Sequence, residues 1–343
     1  MLIEDFLVEA TQCPSVSGYE YNAVKIIKDY FKTYTDTITT DKLGNVIALK
    51  RGTTSNFKIM LAAHMDEIGL MITDIKKNGS IKFTQIGGFD PRTLISQNVV
   101  IHGAKDITGV IVLSDESKTE KVKLKDLHID TGYTKKELIT LVNVGDIITI
   151  DRKMSKLDNN ILTGKCLDDK AGIAVMLQCA KELSNMKHDG DIYFVSTVQE
   201  EVGYNGAKTG IYSIDPDIGI AIDVGFGKTP EIPDDRAIHM GKGAAITMGG
   251  NIHPSLRKHM TEVAKKYNIP HQFEVSPGAT GTDAWIMQIS KAGIPCILLS
   301  IPLRYMHTSV ETVDIKDILN AGQLLAQFII NITDDLLEGL LCY

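Results

Sequence analysis

Four acidic or histidine clusters stand along this 343-residue chain in a set order: His64-x-Asp66, Asp168-Asp169, Glu200-Glu201 with Asp223 downstream, and His307. Histidine nitrogens and carboxylate oxygens are the donors that hold divalent ions such as zinc, cobalt or manganese. A catalytic ion of the zinc type takes about three protein ligands and keeps a position open for water or substrate, so two ions need roughly six ligand bonds. His64, Asp168, Glu201, Asp223 and His307 are five residues, so one carboxylate must serve both ions. A central aspartate reaches both when they lie roughly 3.5–4 Å apart. Asp66 and Glu200 remain for ligand support and proton transfer. The chemistry these residues spell is hydrolysis at a two-metal centre.

Taken singly, each cluster has an ordinary explanation. His-x-Asp is a short string, and a polar pair at a strand end accounts for it. Its two side chains fall on one face of an extended chain, so Asp66 can orient the imidazole. Asp168-Asp169 opens a helical pattern, where an aspartate serves as N-cap, although two adjacent acids allow one to bind metal while the other caps. Glu200 and Glu201 end an apolar strand and could be a solvated turn. Asp223 repeats the strand-then-acid design, and a lone histidine such as His307 is more often structural. Only the complete ordered set outweighs these readings.

The elements that must position these residues follow from periodicity. Residues 1–36 predict two helices split by a loop at Ser15–Gly18, followed by β-type runs at Asn45–Leu49 and Lys58–Ala63, so that His64 ends a strand. From Gly69 to Ile161 the texture changes to short β-branched runs (Ile81–Ile86, Val99–Ile101, Gly109–Val112, Ile147–Ile150) with glycine turns, which predicts a small barrel or sandwich. After Gly164 come a helix over Lys170–Leu183, strands Ile192–Val198 and Ile218–Ile222, helices Ser255–Tyr267 and Thr282–Ser290, strand Cys296–Ser300 and a last helix from Ile315. That alternation is α/β. The expectation is one discontinuous catalytic domain, residues 1–68 and 163–343, interrupted by a β-rich insertion at 69–162. His64 and Asp168 flank the insertion yet can return to the same carboxyl edge of one sheet, where ligands gather in open α/β folds.

Composition narrows the function classes. A net charge of −7 opposes a nucleic-acid surface, which needs a basic patch. The densest basic stretch, Lys118 to Lys125, is interleaved with Glu120 and flanked by Glu116 and Asp126, so it reads as a solvated mixed-sign surface. Five cysteines (Cys13, Cys166, Cys179, Cys296, Cys342) with no Cys-x-x-Cys pattern predict reduced thiols and neither a disulfide framework nor a thiolate metal site. The N-terminus has early acids where a signal peptide has basic residues, and no apolar run approaches the roughly 20 residues that span a bilayer. A cytoplasmic protein without membrane partners is expected.

The strings AAHMDEIG, CLDDKAG, VQEEVGYNGA, AIDVG, GATGTDA and IPLRYMHTSVE together resemble the TET-type aminopeptidases, the glutamyl/leucyl/lysyl family of dinuclear metallopeptidases. The likeness covers nearly the whole chain, including the place of the insertion. It implies a mixed-sheet, phosphorylase/hydrolase-like zinc-peptidase fold with an inserted small β-barrel. It also implies that His64 and Asp223 bind one ion, Glu201 and His307 the other, and that Asp168 bridges them. By the same resemblance Glu200 is the general base, Asp66 supports His64, and the bond before Asp169 is cis. Zinc or cobalt, with manganese as a further option, would fill the site, and peptides would be the substrates. The insertion would pair subunits into a homo-oligomer, a dodecamer built from dimers. The segment Gly225–Pro230 departs from the Thr/Asp-rich stretch of relatives, which leaves the preferred N-terminal residue open. A dinuclear deacylase acting on N-acyl amino acids and a noncatalytic peptide-binding subunit are the alternatives. The cellulase-type label that relatives have carried is disfavoured, because a glycosidase has no use for His64 and His307.

Overall fold

The computed structural model describes residues 2–114, 121–234 and 237–340. Lys118, Glu116 and Glu120 of the mixed-charge stretch and Cys342 lie outside them. Helices α1 (Leu2–Gln12) and α2 (Tyr21–Phe31) precede strands β1 (Thr37–Thr40), β2 (Val46–Lys50) and β3 (Lys58–His64). Strands β4 (Gly69–Ile75), β5 (Ile81–Ile86), β6 (Asn98–His102), β7 (Asp106–Leu113), β8 (Leu127–Asp130) and β9 (Ile147–Ile150) follow, with the short helix α3 (Lys135–Leu138) before the last. The chain continues through β10 (Ser155–Lys156), β11 (Ile161–Gly164), α4 (Leu167–Leu183), β12 (Asp191–Thr197), α5 (Asn205–Ile214), β13 (Ile218–Phe226) and β14 (Ala244–Met248). It ends with α6 (Pro254–Lys266), β15 (His271–Val275), α7 (Asp283–Gln288), β16 (Cys296–Arg304), β17 (Glu311–Asp314), α8 (Ile315–Ile330) and α9 (Asp334–Glu338).

The main sheet runs β1-β2-β12-β3-β13-β16-β17-β11-β10, with β14 branching from β16 and carrying β15 at its far edge. Its centre, β12-β3-β13-β16, is parallel. Parallel strands are covered on both faces, which is why β3 (KIMLAAH) and β13 (IGIAIDVGF) are almost continuously apolar and buried. Helix α4 is buried along nearly its whole length, packed between the sheet and α8. The core therefore lies directly beneath the edge where the parallel strands end.

Strands β4 to β9 close on themselves in the order β4-β5-β8-β7-β6-β9. Alternate burial along β7 turns Ile107, Gly109 and Ile111 inward, and Leu70, Ile81, Val99, Ile129 and Ile148 fill the same small core. The β-rich texture is thus a barrel. The expected insertion, 69–162, runs past it: β10 and β11 pair through β17 with the main sheet, so the chain rejoins the α/β body before residue 162.

Several elements had no clear signal in the sequence. Helix α5 (NGAKTGIYSI) contains two glycines and β-branched residues, a poor helix by propensity, and its buried face against β12 and α7 compensates. Strands β14, β15 and β17 are short and gain their order from sheet neighbours. Cys13, Cys166, Cys179 and Cys296 are free thiols. No helix among the described residues is long and apolar enough to cross a membrane.

Candidate metal centre

Each central strand delivers a donor to the same edge. His64 is the last residue of β3, Asp223 lies toward the end of β13 opposite Ser300 of β16, Glu200 and Glu201 follow β12, and His307 follows β16. Asp168 and Asp169 arrive from the opposite side at the start of α4. The backbone bends sharply beside three of these positions. Cys166 (φ 58°), Gln199 (φ 56°) and His307 (φ 60°) occupy the left-handed region, which non-glycine residues seldom adopt and which recurs at functional sites. Glu200 and Glu201 consequently sit in a turn just past the end of β12.

The sequence-predicted residues converge. Asp168 Oδ1 lies 3.0 Å from His64 Nε2, and its Oδ2 lies 3.4 Å from His307 Nε2. His307 Nε2 is also 3.2 Å from Glu201 Oε1. Donor atoms of Asp168, Glu201 and His307 fall within 4.8 Å of one another, as do those of His64, Asp169 and Asp223. A third group, His64 with Glu200 and Glu201, overlaps both, and the Asp168 carboxylate turns one oxygen to His64 and the other to His307. On the far side of its ring, His64 Nδ1 is 3.2 Å from the Asp66 carbonyl and 3.4 Å from Asp66 Oδ1. A proton held there by Asp66 leaves the Nε2 lone pair facing the cluster.

Asp66 does more than orient His64. Its Oδ1 accepts from the Glu200 amide at 3.0 Å, and its Oδ2 accepts from the Glu201 amide and from Ser17 Oγ at 2.6 Å. It is fully buried behind the imidazole and the turn. Grouped with Glu200 as catalytic from the sequence, Asp66 has the geometry of a positioning residue. The Asp168-Asp169 peptide bond is cis, and regular helical dihedrals begin only at Lys170. The two acids divide their work: Asp169 Oδ1 caps the helix by accepting from Gly172 N, its Oδ2 accepts from His64 N, and Asp168 faces the cluster.

The electrostatics favour cations. Burial, with Asp223, Asp283 and Glu201 nearby, outweighs the help of His64 and pushes the Glu200 carboxyl up to about 11. Burial likewise raises Asp223 and Asp169 well above the carboxylate range, helped by the acids facing each. Burial opposes an imidazolium at His307, but bonds to Asp168 and Glu201 prevail and raise it to about 11. Glu200 Oε1 is buried and accepts no hydrogen bond. A nest of buried oxygens that cannot all carry charge unaided fits small divalent cations, and the His/carboxylate donors suit such ions.

Two supports were not legible in the sequence. Glu311 is buried and accepts from the amides of Asp168 (3.1 Å) and His307 (2.9 Å), tying two candidate ligands together through their backbones. Asp283, at the start of α7, accepts from Thr197 Oγ1 at 2.6 Å beside the turn of acids. Both occur in the strings quoted above, but no spacing rule distinguishes them from ordinary caps. The barrel also reaches the site: a Cβ on Gly88 would lie 3.4 Å from His307 Nδ1. The cluster opens into a cavity of about 380 Å³ that Tyr204, Phe226, Glu274, Thr280 and Leu298 continue to line.

The chain matches the family described as M42 glutamyl aminopeptidase over residues 44–324. It is 38% identical to the lysyl aminopeptidase of Pyrococcus furiosus over 93% of this chain and 94% of that protein. Among solved structures, the aminopeptidase APDkam598 from the archaeon Desulfurococcus kamchatkensis is similar with a TM-score of 0.93 and 36% identity, covering 99% of this chain and 97% of the other. The Pyrococcus horikoshii TET1 peptidase, which can assemble into a tetrahedron or a large octahedral shell, is similar with a TM-score of 0.85 and 30% identity over 96% and 100% of the two chains.

Proposed function

The chain belongs to the M42 glutamyl aminopeptidase family and is a peptide-bond hydrolase of the aminopeptidase type, and from that premise we propose that it cleaves N-terminal residues at the centre formed by His64, Asp168, Glu201, Asp223 and His307. The observation that carries this reading is the Asp168 carboxylate, which turns one oxygen to His64 and the other to His307. His64 and Asp223 would hold one divalent ion, Glu201 and His307 a second, with Asp168 shared. Such ions lend Lewis acidity to a carbonyl and make water acidic.

The protein's own groups then divide the remaining work. Glu200 lines the cavity with an unpartnered Oε1, so it takes the proton of the attacking water and returns it to the departing amine. Asp66 keeps both the imidazole of His64 and the Glu200–Glu201 turn in place. Glu311 does the same for Asp168 and His307. A substrate's α-amine is drawn to this acid-rich end, which selects chain termini over internal bonds. Zinc or cobalt is the resident metal in this reading, with manganese also compatible with the donors.

The barrel, residues 69–150, is assigned to pairing of subunits, and the protein to a homo-oligomer, a dodecamer built from dimers, after the manner of the TET1 peptidase. A cytoplasmic location suits four free thiols. The test is a pair of peptides, one free and one acetylated at its N-terminus, given to the metal-loaded protein before and after chelation. Cleavage of the free peptide alone, lost on chelation and restored by metal, is the expected result. Efficient hydrolysis of the acetylated peptide would replace this reading with a deacylase.

A further inference from the structure

When water adds to an amide carbon, the carbonyl oxygen takes up a full negative charge, and in a cavity walled by acids that charge needs a hydrogen-bond donor. Among the described residues, no lysine or arginine lines the cavity, and its two imidazoles belong to the candidate metal centre. Most of its hydroxyls are engaged. Ser300 Oγ donates to Glu274 at 2.6 Å, Thr280 Oγ1 donates to Asn251 at 2.9 Å, and Thr282 Oγ1 lies 3.0 Å from Thr280 and accepts from the Ala284 amide. Ser276 follows β15 at the far edge of the sheet. The phenol of Tyr204 remains.

Tyr204 is built into the same turn as Glu200. The amides of Gly203 and Tyr204 both donate to the Glu200 carbonyl, at 2.9 and 3.1 Å, and Asn205 closes the turn by donating from its side chain to Gln199 at 3.1 Å. Tyr204 holds the left-handed conformation (φ 59°, ψ 30°), which a bulky residue seldom adopts and which recurs at functional sites. Its side chain makes no cap for α5, and instead lines the cavity. The hydroxyl lies within electrostatic reach of Glu200, Asp223, Asp283 and Glu201, and it makes no hydrogen bond among the described residues. Burial, with those acids around it, raises the phenol above its usual range, so it keeps its proton and can only offer it in a hydrogen bond. A tyrosine that merely walled the cavity would need no hydroxyl there.

We propose that Tyr204 is a further catalytic residue, whose phenol donates a hydrogen bond to the oxyanion formed when water adds to the scissile carbonyl. This role rests on the reading that the centre hydrolyses peptides with Glu200 as base. As the new C–O bond forms, the carbonyl π pair moves onto its oxygen and the water's proton passes to Glu200. As the C–N bond breaks, that pair restores the carbonyl and Glu200 returns the proton to the leaving amine. Tyr204 keeps its own proton throughout. Its hydrogen bond is strongest while the oxygen is charged, so it acts on kcat more than on KM, by roughly 10–100-fold.

The experiment compares metal-loaded Y204F with the unmodified protein on alanyl, leucyl, lysyl and glutamyl p-nitroanilides, using whichever is cleaved fastest. Phenylalanine keeps the ring, and the hydroxyl it removes bonds nothing in the protein, so melting temperature and metal content should match the parent. Turnover should fall by roughly 10–100-fold with KM little changed. A second readout needs no turnover: inhibition by the phosphonic acid analogue of leucine, whose tetrahedral anion mimics the intermediate, should weaken by a similar factor in Y204F. Inhibition by isopentylamine, which offers the amine and stem alone, should not change. Parental kcat in Y204F, a loss confined to KM, or phosphonate binding as tight as in the parent would each overturn the proposal. Failure of the unmodified protein to cleave any of the free-amine substrates would instead overturn the aminopeptidase reading and this inference with it.

Discussion

Asp168 stands between two imidazoles with a different oxygen toward each, and that arrangement sets what its loss must do. D168A removes a donor from both metal positions at once, so both ions should be lost together. Elemental analysis of the purified variant retaining two ions would dismiss the shared role. Glu200 differs in kind, because the proposed function gives its unpartnered oxygen the proton transfer. E200Q should keep near-parental metal content while turnover falls by about 10²–10⁴-fold, the range of general acid–base groups. The cluster also fixes the sign of a pH effect. Without cations, Glu200 and His307 are both raised to about 11 and hold protons near neutrality, whereas ligation needs the imidazoles and acids deprotonated. Metal uptake should therefore release protons and strengthen as pH rises. Titration calorimetry in buffers of different ionisation enthalpy measures the release, and no net release would contradict it.

At the scale of elements, the start of α4 is where helix stability and chemistry meet. Glycine inside a helix ordinarily costs about 1 kcal/mol relative to alanine, so G172A would ordinarily stabilise. Here the added Cβ would stand 2.4 Å from Asp169 Oδ2 and 2.5 Å from its Oδ1. The substitution must push aside the carboxylate that caps the helix and accepts from His64 N. G172A should lower the melting temperature and weaken metal binding together. An alanine variant that is more stable and binds metal normally would show that the contact is not constraining.

At the scale of the whole molecule, the barrel contributes no donor to the centre among the described residues, yet its Gly88 packs beside His307. If the barrel pairs subunits as proposed, that contact gives assembly a short path to the proposed centre. The intact protein should run as a large oligomer by light scattering, and a form lacking the barrel should dissociate and lose activity on long peptides more than on single-residue amides. A fully active monomer at working concentration would contradict the assembly role.

The sequence by itself determined the candidate donors, their order and the alternation of helices and strands, because residue type and periodicity are local properties that need no partner. His64, Asp168, Glu201, Asp223 and His307 could be named that way, as could the change of texture that became the barrel. The tertiary structure alone decided which oxygen of Asp168 faces which imidazole, that Asp66 holds the Glu200–Glu201 turn, and that Glu311 joins Asp168 to His307. Apart from the short step between Glu311 and His307, those contacts join positions more than a hundred residues apart, and no periodic pattern encodes them. Strands β14 and β15 show the same limit. Too short to announce themselves, they exist because β16 offers an edge, and only their pairing brings Glu274 back over Gly225.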